Sequence, residues 1–338
     1  MRRLRLEELP LPLLQKMNRV PAQNKKHLLG HGVFGNERGF ALLLSLLIVF
    51  LLVVMIFEAD YQIRADLRAA GNFRDDLKAY YLARSGISAG EALLKDDAVN
   101  SNKYDGLDEF WAFPIPDYPL GDGLLSGTIV DEERKINLNT LLIQGKTVDP
   151  ARKEQLERLF VLLELNPELV DAIVDWVDPD DEPRTYGAES PTYQSREPGY
   201  RAKDGKMETL SELRMVQGIT SDIYAKVAPY LTVYGDGRIN VNTVDRFVLQ
   251  SLDHSFDETE ARRLTEARPF ETAPGFKDLL PEEVKTRMNS DGRLIWFITG
   301  SHFFTIQSIG QVNDTRKTAT AVVRRQSSLT TLLYFRVE

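Results

Sequence analysis

From Phe40 to Phe57 the chain carries no charge, and Ser45 is the one polar side chain in those eighteen residues. As a helix the run covers roughly 27 Å, enough to cross a hydrocarbon core. A helix in the core of a soluble protein shows a polar stripe, and none is visible here. The run therefore predicts a membrane span, within which the helix satisfies its own backbone groups. The pattern then changes without a proline. From Asp60 to Lys95 charges recur at nearly every turn (Asp60, Arg64, Asp66, Arg68, Arg74, Asp75, Asp76, Lys78). Apolar or small residues at Ile63, Leu67, Ala70, Leu77, Tyr81, Ile87, Ala89, Leu93 and Leu94 are spaced mostly by threes and fours. That spacing predicts one continuous helix whose outer half has a moderately apolar face suited to packing on a sheet. It is expected to end near Asp96-Asp97.

Beyond the helix, residues 103–123 read as irregular, with Trp111, Pro114, Pro116 and Pro119. Leu124–Glu132 reads as a strand. The phrase Ile136-Asn137-Leu138-Asn139-Thr140 recurs 103 residues later as Ile239-Asn240-Val241-Asn242-Thr243. Asn and Thr are good N-cap residues, so each copy is expected to open a helix and a helical unit. The first unit is expected to hold helices at Pro150–Leu163, Pro167–Trp176, Thr209–Met215 and Ser221–Val227. The second is expected to hold helices at Val244–Leu252, Asp257–Ala267 and Phe276–Leu280. The tail alternates or runs β-branched over Phe303–Val312, Thr318–Arg325 and Leu329–Val337, which predicts three antiparallel strands joined by short turns.

Charge sharpens the membrane reading. The first 39 residues carry eight Lys/Arg against three Asp/Glu, a net +5, and the 338-residue chain totals −8, which leaves −13 on the rest. The positive-inside rule keeps the basic end cytoplasmic and sends the acidic body across. There is no cysteine, so no disulfide forms in any compartment. A secretory signal peptide is the competing reading. The run is longer than a usual apolar signal core, and an amphipathic helix follows it in place of a small-residue cleavage site. A plain signal anchor is the other alternative.

The basic leader, Gly39, Phe40, the apolar run and the long amphipathic helix together resemble a type IV prepilin, with Gly39 and Phe40 on the two sides of the processing site. Such proteins usually have glutamate at the fifth mature position, and here that position is Leu44. With the duplicated Ile-Asn-x-Asn-Thr phrase, the loop Asp175-Trp-Val-Asp178-Pro-Asp180-Asp181-Glu182-Pro183, the segment Leu231-Thr232-Val233-Tyr234-Gly235 and the three-strand tail, the chain resembles the minor pseudopilin K family of type II secretion systems. The resemblance implies an α+β fold: a long N-terminal transmembrane and amphipathic helix on a small antiparallel pseudopilin sheet, with a large inserted all-α region of SAM-like subdomains. It implies a leader 1–39, a transmembrane part 40–57 and a periplasmic part of the helix 58–97. It further implies a pseudopilin core from 98–135 and 300–338, and an insert 136–299 divided into 136–238 and 239–299. It implies a tip position in the periplasmic pseudopilus. The partners implied are minor pseudopilins of the I and J types, the major pseudopilin, a prepilin peptidase and the inner membrane.

The densest acidic stretch offers Asp175, Asp178, Asp180, Asp181, Glu182 and Glu189, with Asp171 one turn earlier on the same helical face. Hard oxygen ligands on a flexible loop suit Ca2+, and relatives in the family are similar in carrying calcium. The spacing is not that of an EF-hand. The competing reading is that Asp178 and Asp180 cap and turn the chain while Asp181 and Glu182 face water. Four scattered histidines, with no nucleophile elbow, phosphate-binding glycine loop or metal-binding His pair, argue against an enzyme. The segment Leu213–Thr220 looks like a helix-hairpin-helix, which raises a DNA-capturing membrane receptor as the alternative function. An acidic body without a basic stripe predicts no such binding. A generic signal-anchored periplasmic scaffold is a third reading. Trp111, Trp176 and Trp296 are expected in cores.

Overall fold

The computed structural model describes residues 37–100, 103–327 and 329–338. The leader expected at 1–39 lies almost wholly outside them. The chain divides into two compact units, up to Asp66 and from Leu67 onward.

In the first unit, helix α1 (Glu37–Asn100) carries the apolar run. Every described residue from Phe40 to Phe57 is exposed, the large ones by 43–70 %. The Ser45 hydroxyl donates to the Leu42 carbonyl at 2.9 Å, so the lone polar side chain is satisfied within the helix. No other described residue covers this surface, which leaves it for lipid or for apolar helices of neighbouring subunits.

The second unit contains a five-stranded antiparallel sheet. Its strands are β1 (Ile115–Leu120), β2 (Gly123–Asp131), β3 (Phe303–Val312), β4 (Thr315–Gln326) and β5 (Leu329–Val337), hydrogen-bonded in that order. Residues 132–302 are inserted between β2 and β3. Strict alternation in β3 turns Phe304, Ile306, Ser308, Gly310 and Val312 inward. The outer half of α1 lies on that face through Ala79, Ala83, Ile87, Gly90 and Leu94. The approach is close enough to exclude side chains. A Cβ on Gly90 would sit 2.7 Å from Ile306 Cγ2, and one on Gly310 would sit 2.3 Å from the Ala79 carbonyl oxygen. The core between helix and sheet is completed by Trp111 and Ile129, with Ala319, Ala321 and Val323 from β4. Trp111 meets Phe304 edge to face at 5.2 Å.

Two expectations change here. The stretch 103–123 is ordered: Phe110–Ala112 forms a 3₁₀ turn, and Ile115–Leu120 is the outermost strand. Its prolines hid it, because Pro116 and Pro119 cannot donate to a ladder and are tolerated only on an edge. The helix continues to Asn100 rather than ending at Asp96-Asp97. Asp97 is held there by Arg325 of β4 at 2.7 Å.

The insert has one continuous core from Ile136 to Phe297. Its helices are α2 (Pro150–Leu162), α3 (Leu169–Val177), α4 (Ser190–Gln194), α5 (Ser221–Val227), α6 (Arg246–Leu252), α7 (Glu258–Glu266), α8 (Ala273–Asp278) and α9 (Glu282–Ser290). The segment expected as a helix at Thr209–Met215 is 3₁₀ over Leu210–Met215. The first Asn phrase opens only a 3₁₀ turn, Leu138–Thr140 capped by Asn137, and neither phrase caps the α-helix that follows it. Asp149 and Asp245 cap α2 and α6 instead, accepting from Ala151 N and Phe247 N at 3.0 and 2.8 Å.

Each phrase instead closes its unit onto itself. Ile136-Asn137 pairs in parallel with Leu231-Thr232, and Ile239-Asn240 with Phe297-Ile298. In both copies the first Asn accepts from the N–H of the second (2.9 and 3.0 Å). The second Asn clamps a remote residue by both backbone groups, Met207 for Asn139 and Phe270 for Asn242. Asn242 is the more buried of the two, at 2 % exposure. Asn242→Ala strands the N–H and C=O of Phe270, so it is expected to cost about 2–3 kcal/mol in urea unfolding, more than Asn139→Ala.

Candidate functional site

Gly39 and Phe40 both lie within α1, Phe40 with 70 % of its surface exposed, and Leu44 with 49 %. The fifth residue after Gly39 is thus an accessible apolar side chain. It has no carboxylate with which to meet an amine from a neighbouring helix.

The acidic site is built on α3. Every residue from Val170 to Val177 is buried, because the helix runs through the middle of the insert. Trp176 packs edge to face on Tyr193 at 5.1 Å. Asp175 points away from the apolar side and organises the return of the chain. Its Oδ2 accepts from the backbone N of Arg184 at 3.1 Å, and its Oδ1 accepts from Arg184 Nη1. The same Nη1 donates to Asp178 Oδ2 at 2.5 Å. A Cβ on Gly187 would fall 1.7 Å from Asp175 Oδ2, so the loop can return this closely only with glycine at that position. The return delivers Glu189, which is 2 % exposed.

Asp175, Asp178 and Glu189 form the group that the structure brings together, with one carboxylate oxygen from each within 4.8 Å of the others. Both Glu189 oxygens and Asp178 Oδ1 are buried without a hydrogen-bond partner among the described residues. An unpaired buried carboxylate is costly. Burial, followed by the charges of Asp175 and Asp178, pushes the Glu189 carboxyl up to about 8. Burial also raises Asp175 and Asp178 despite Arg184. This donor set, hard oxygens with unused lone pairs in a dry pocket, fits a divalent cation.

Asp180, Asp181 and Glu182 lie outside the group. All three are exposed, and Asp180 Oδ1 accepts from Glu182 N at 3.0 Å in a local turn. Asp171 also turns aside, to Lys153 at 2.9 Å and to the N–H of Tyr186 at 3.3 Å. Helical spacing put Asp171, Asp175 and Asp178 on one face, but Asp178 caps the end of α3 with extended backbone. Arg184 was missed because guanidinium is not a metal ligand; its position six residues after Asp178, within an acidic loop, was the available signal.

A second acidic group, Asp97, Asp105 and Glu109, already has a partner on each carboxylate. Arg325 holds Asp97 and Asp105, and Glu109 accepts from Gly106 N and Trp111 Nε1 at 3.0 and 2.9 Å.

Comparison with known proteins gives a consistent result. Residues 134–236 match the family model described as type II secretion system (T2SS), protein K. The type II secretion system protein K of Klebsiella pneumoniae is 31 % identical over 69 % of this chain and 75 % of its own length. That of Pseudomonas aeruginosa is 30 % identical over 86 % and 89 %, and that of Aeromonas hydrophila 28 % over 83 % and 90 %. In fold, the chain is similar to one chain of the crystal structure of the GspK-GspI-GspJ complex from the enterotoxigenic Escherichia coli type 2 secretion system. The TM-score is 0.69 at 23 % identity, over 81 % of this chain and 99 % of that one. The uncharged anchor helix, the antiparallel sheet and the helical insert are thus those of a structural component of the secretion apparatus, and the chain belongs to the type II secretion system protein K family of minor pseudopilins.

Proposed function

We propose that this minor pseudopilin is processed between Gly39 and Phe40, N-methylated on Phe40, and placed at the tip of a pseudopilus that starts in the inner membrane with its body in the periplasm. The observation that carries this reading is α1, which has an uncharged, uncovered run directly after Gly39 and Leu44 at its fifth position. A carboxylate there would neutralise the terminal amine of the next subunit within the bilayer, where an unpaired charge is expensive. A subunit with leucine has no such partner above it, which suits the last position of a stack. The GspK-GspI-GspJ complex supports I- and J-type minor pseudopilins as its neighbours here. The major pseudopilin lies below them. We read the two helical units, each of short helices closed by an Asn phrase, as SAM-like subdomains. The test is intact mass and N-terminal sequence of membrane-purified protein, with and without a prepilin peptidase. A product beginning at N-methylated Phe40 is expected; one unchanged by the peptidase overturns the processing reading.

We also propose a calcium ion in the centre formed by Asp175, Asp178 and Glu189, held through the free oxygens of Asp178 and Glu189. The support is the three buried oxygens without partners. Bound there, calcium would supply positive charge that ties the loop to α3. Calcium at about a hundred times its dissociation constant stabilises by about 2.7 kcal/mol, so Tm is expected to rise by roughly 5 °C. Glu189→Gln is expected to abolish most of that rise in differential scanning fluorimetry. An equal rise in the variant would place the ion elsewhere.

A further inference from the structure

We propose that Arg184 sets the valence of the cation that the acidic centre accepts. The inference rests on the reading of Asp175, Asp178 and Glu189 as a cation site.

With a cation bound, all three buried carboxylates are ionised and carry three negative charges, and Arg184, in contact with two of them, brings the group to −2. The bonds divide the oxygens in the same way. Both oxygens of Asp175 are taken up by Arg184, one by the guanidinium and one by the backbone N–H. Asp178 gives Oδ2 to the guanidinium and keeps Oδ1. Glu189 keeps both. The oxygens left for an ion thus come from two carboxylates, a charge match for a divalent cation.

The loop fixes Arg184 in this position. Gly187 packs against the Asp175 carboxylate more closely than any side chain allows, and the N–H of Tyr186 is held by Asp171. Asp180, Asp181 and Glu182 are exposed, so water and salt screen their contribution. The buried charges are screened least and dominate the preference. The attraction of a bound ion for each unit of negative charge scales with its own valence. Removing the Arg184 charge therefore helps a trivalent ion half as much again as a divalent ion of the same size. Tb3+ and Ca2+ are nearly equal in size, and the ratio of their affinities reads the charge of the centre directly.

The experiment uses the full chain in detergent. Tb3+ luminescence is excited through Trp176, the neighbour of Asp175, and Ca2+ is titrated in as competitor. Arg184→Gln is expected to raise the Tb3+ to Ca2+ affinity ratio about tenfold or more, and Arg184→Lys to leave it near the parent value. Asp175→Asn with Arg184 intact is expected to lower the ratio. The double variant Arg184→Gln, Asp175→Asn again carries −2, and the ratio is expected to return to within about threefold of the parent. A purely structural role for Arg184 predicts no such restoration. The ratio is read on ion-loaded protein, so lower stability of an ion-free variant does not mask it. If Arg184→Gln does not fold, the fall with Asp175→Asn and the recovery in the double variant carry the test. A parent that binds both ions, with an Arg184→Gln ratio within about threefold of it, overturns the role of Arg184 and leaves the cation site standing. A parent that binds neither ion overturns both.

Discussion

Replacing Arg325 with alanine is expected to lower the stability of the body by about 3–5 kcal/mol, the cost of leaving a buried charge without its partner. Arg325 stands on β4 with 7 % of its surface exposed. Its guanidinium donates to Asp97 at 2.7 Å, to Asp105, and to the Ser301 carbonyl at 3.0 Å, and it lies 4.6 Å from the centroid of the Phe304 ring. One side chain thus joins the end of α1, the segment after it, the last turn before β3 and the sheet core. Burial, opposed by Arg325, already raises Asp105 from 3.8 to about 6. A carboxyl whose folded pKa is raised destabilises the fold as pH climbs from its unfolded value through its folded one. In the parent that loss falls between about pH 4 and 6. Without Arg325 the folded value rises further, so the loss extends past 6. Urea unfolding at a series of pH values checks both points. The deficit of Arg325→Ala is expected to be smallest near pH 4 and to grow towards pH 8, and a deficit independent of pH would mean that Asp105 is not the stranded group.

Gly310→Ala is expected to cost about 3 kcal/mol, at the upper end for overpacking, because the obstruction is backbone. The added methyl would meet the Ala79 carbonyl oxygen at 2.3 Å and the Ala83 nitrogen at 2.6 Å. Neither can move unless α1 lifts from the sheet. Gly86 makes a useful contrast, since its Cβ would meet the Ser308 hydroxyl at 2.0 Å. A side chain can be removed, so Gly86→Ala combined with Ser308→Gly is expected to recover most of what Gly86→Ala loses. Gly71 has nothing within 4 Å of its would-be Cβ. There alanine relieves only the entropic cost of a helical glycine and is expected to stabilise by about 0.5–1 kcal/mol. Chemical unfolding of the three variants separates close contact from helix propensity. Equal losses at Gly310 and Gly71 would remove the contact argument.

The membrane-spanning run, the three-strand tail and most helix positions were legible in the sequence because each is a local pattern. An uncharged run of eighteen residues, alternation in Phe303–Val312 and proline at the first turn of α2 need no tertiary partner to be recognised. The repeated Asn phrase was equally visible, but its role was not. Asn139 and Asn242 act on Met207 and Phe270, at separations of 68 and 28 residues, and no local rule points to them. Strand β1 was hidden by prolines that only an edge position tolerates, and which strand lies at an edge is settled by the whole sheet.

The acidic centre divides in the same way. Sequence supplied the loop and six candidate carboxylates. The fold selected Asp175, Asp178 and Glu189 by burying them, left Asp180, Asp181 and Glu182 in water, and added Arg184. Local spacing specifies which side chains share a turn. Burial, and the charge balance that burial makes matter, follow from how distant segments close over them. The sequence by itself therefore determined the anchor helix and the repertoire of elements, and the tertiary structure alone decided which of many acids are dry, close together and left with oxygens to spare.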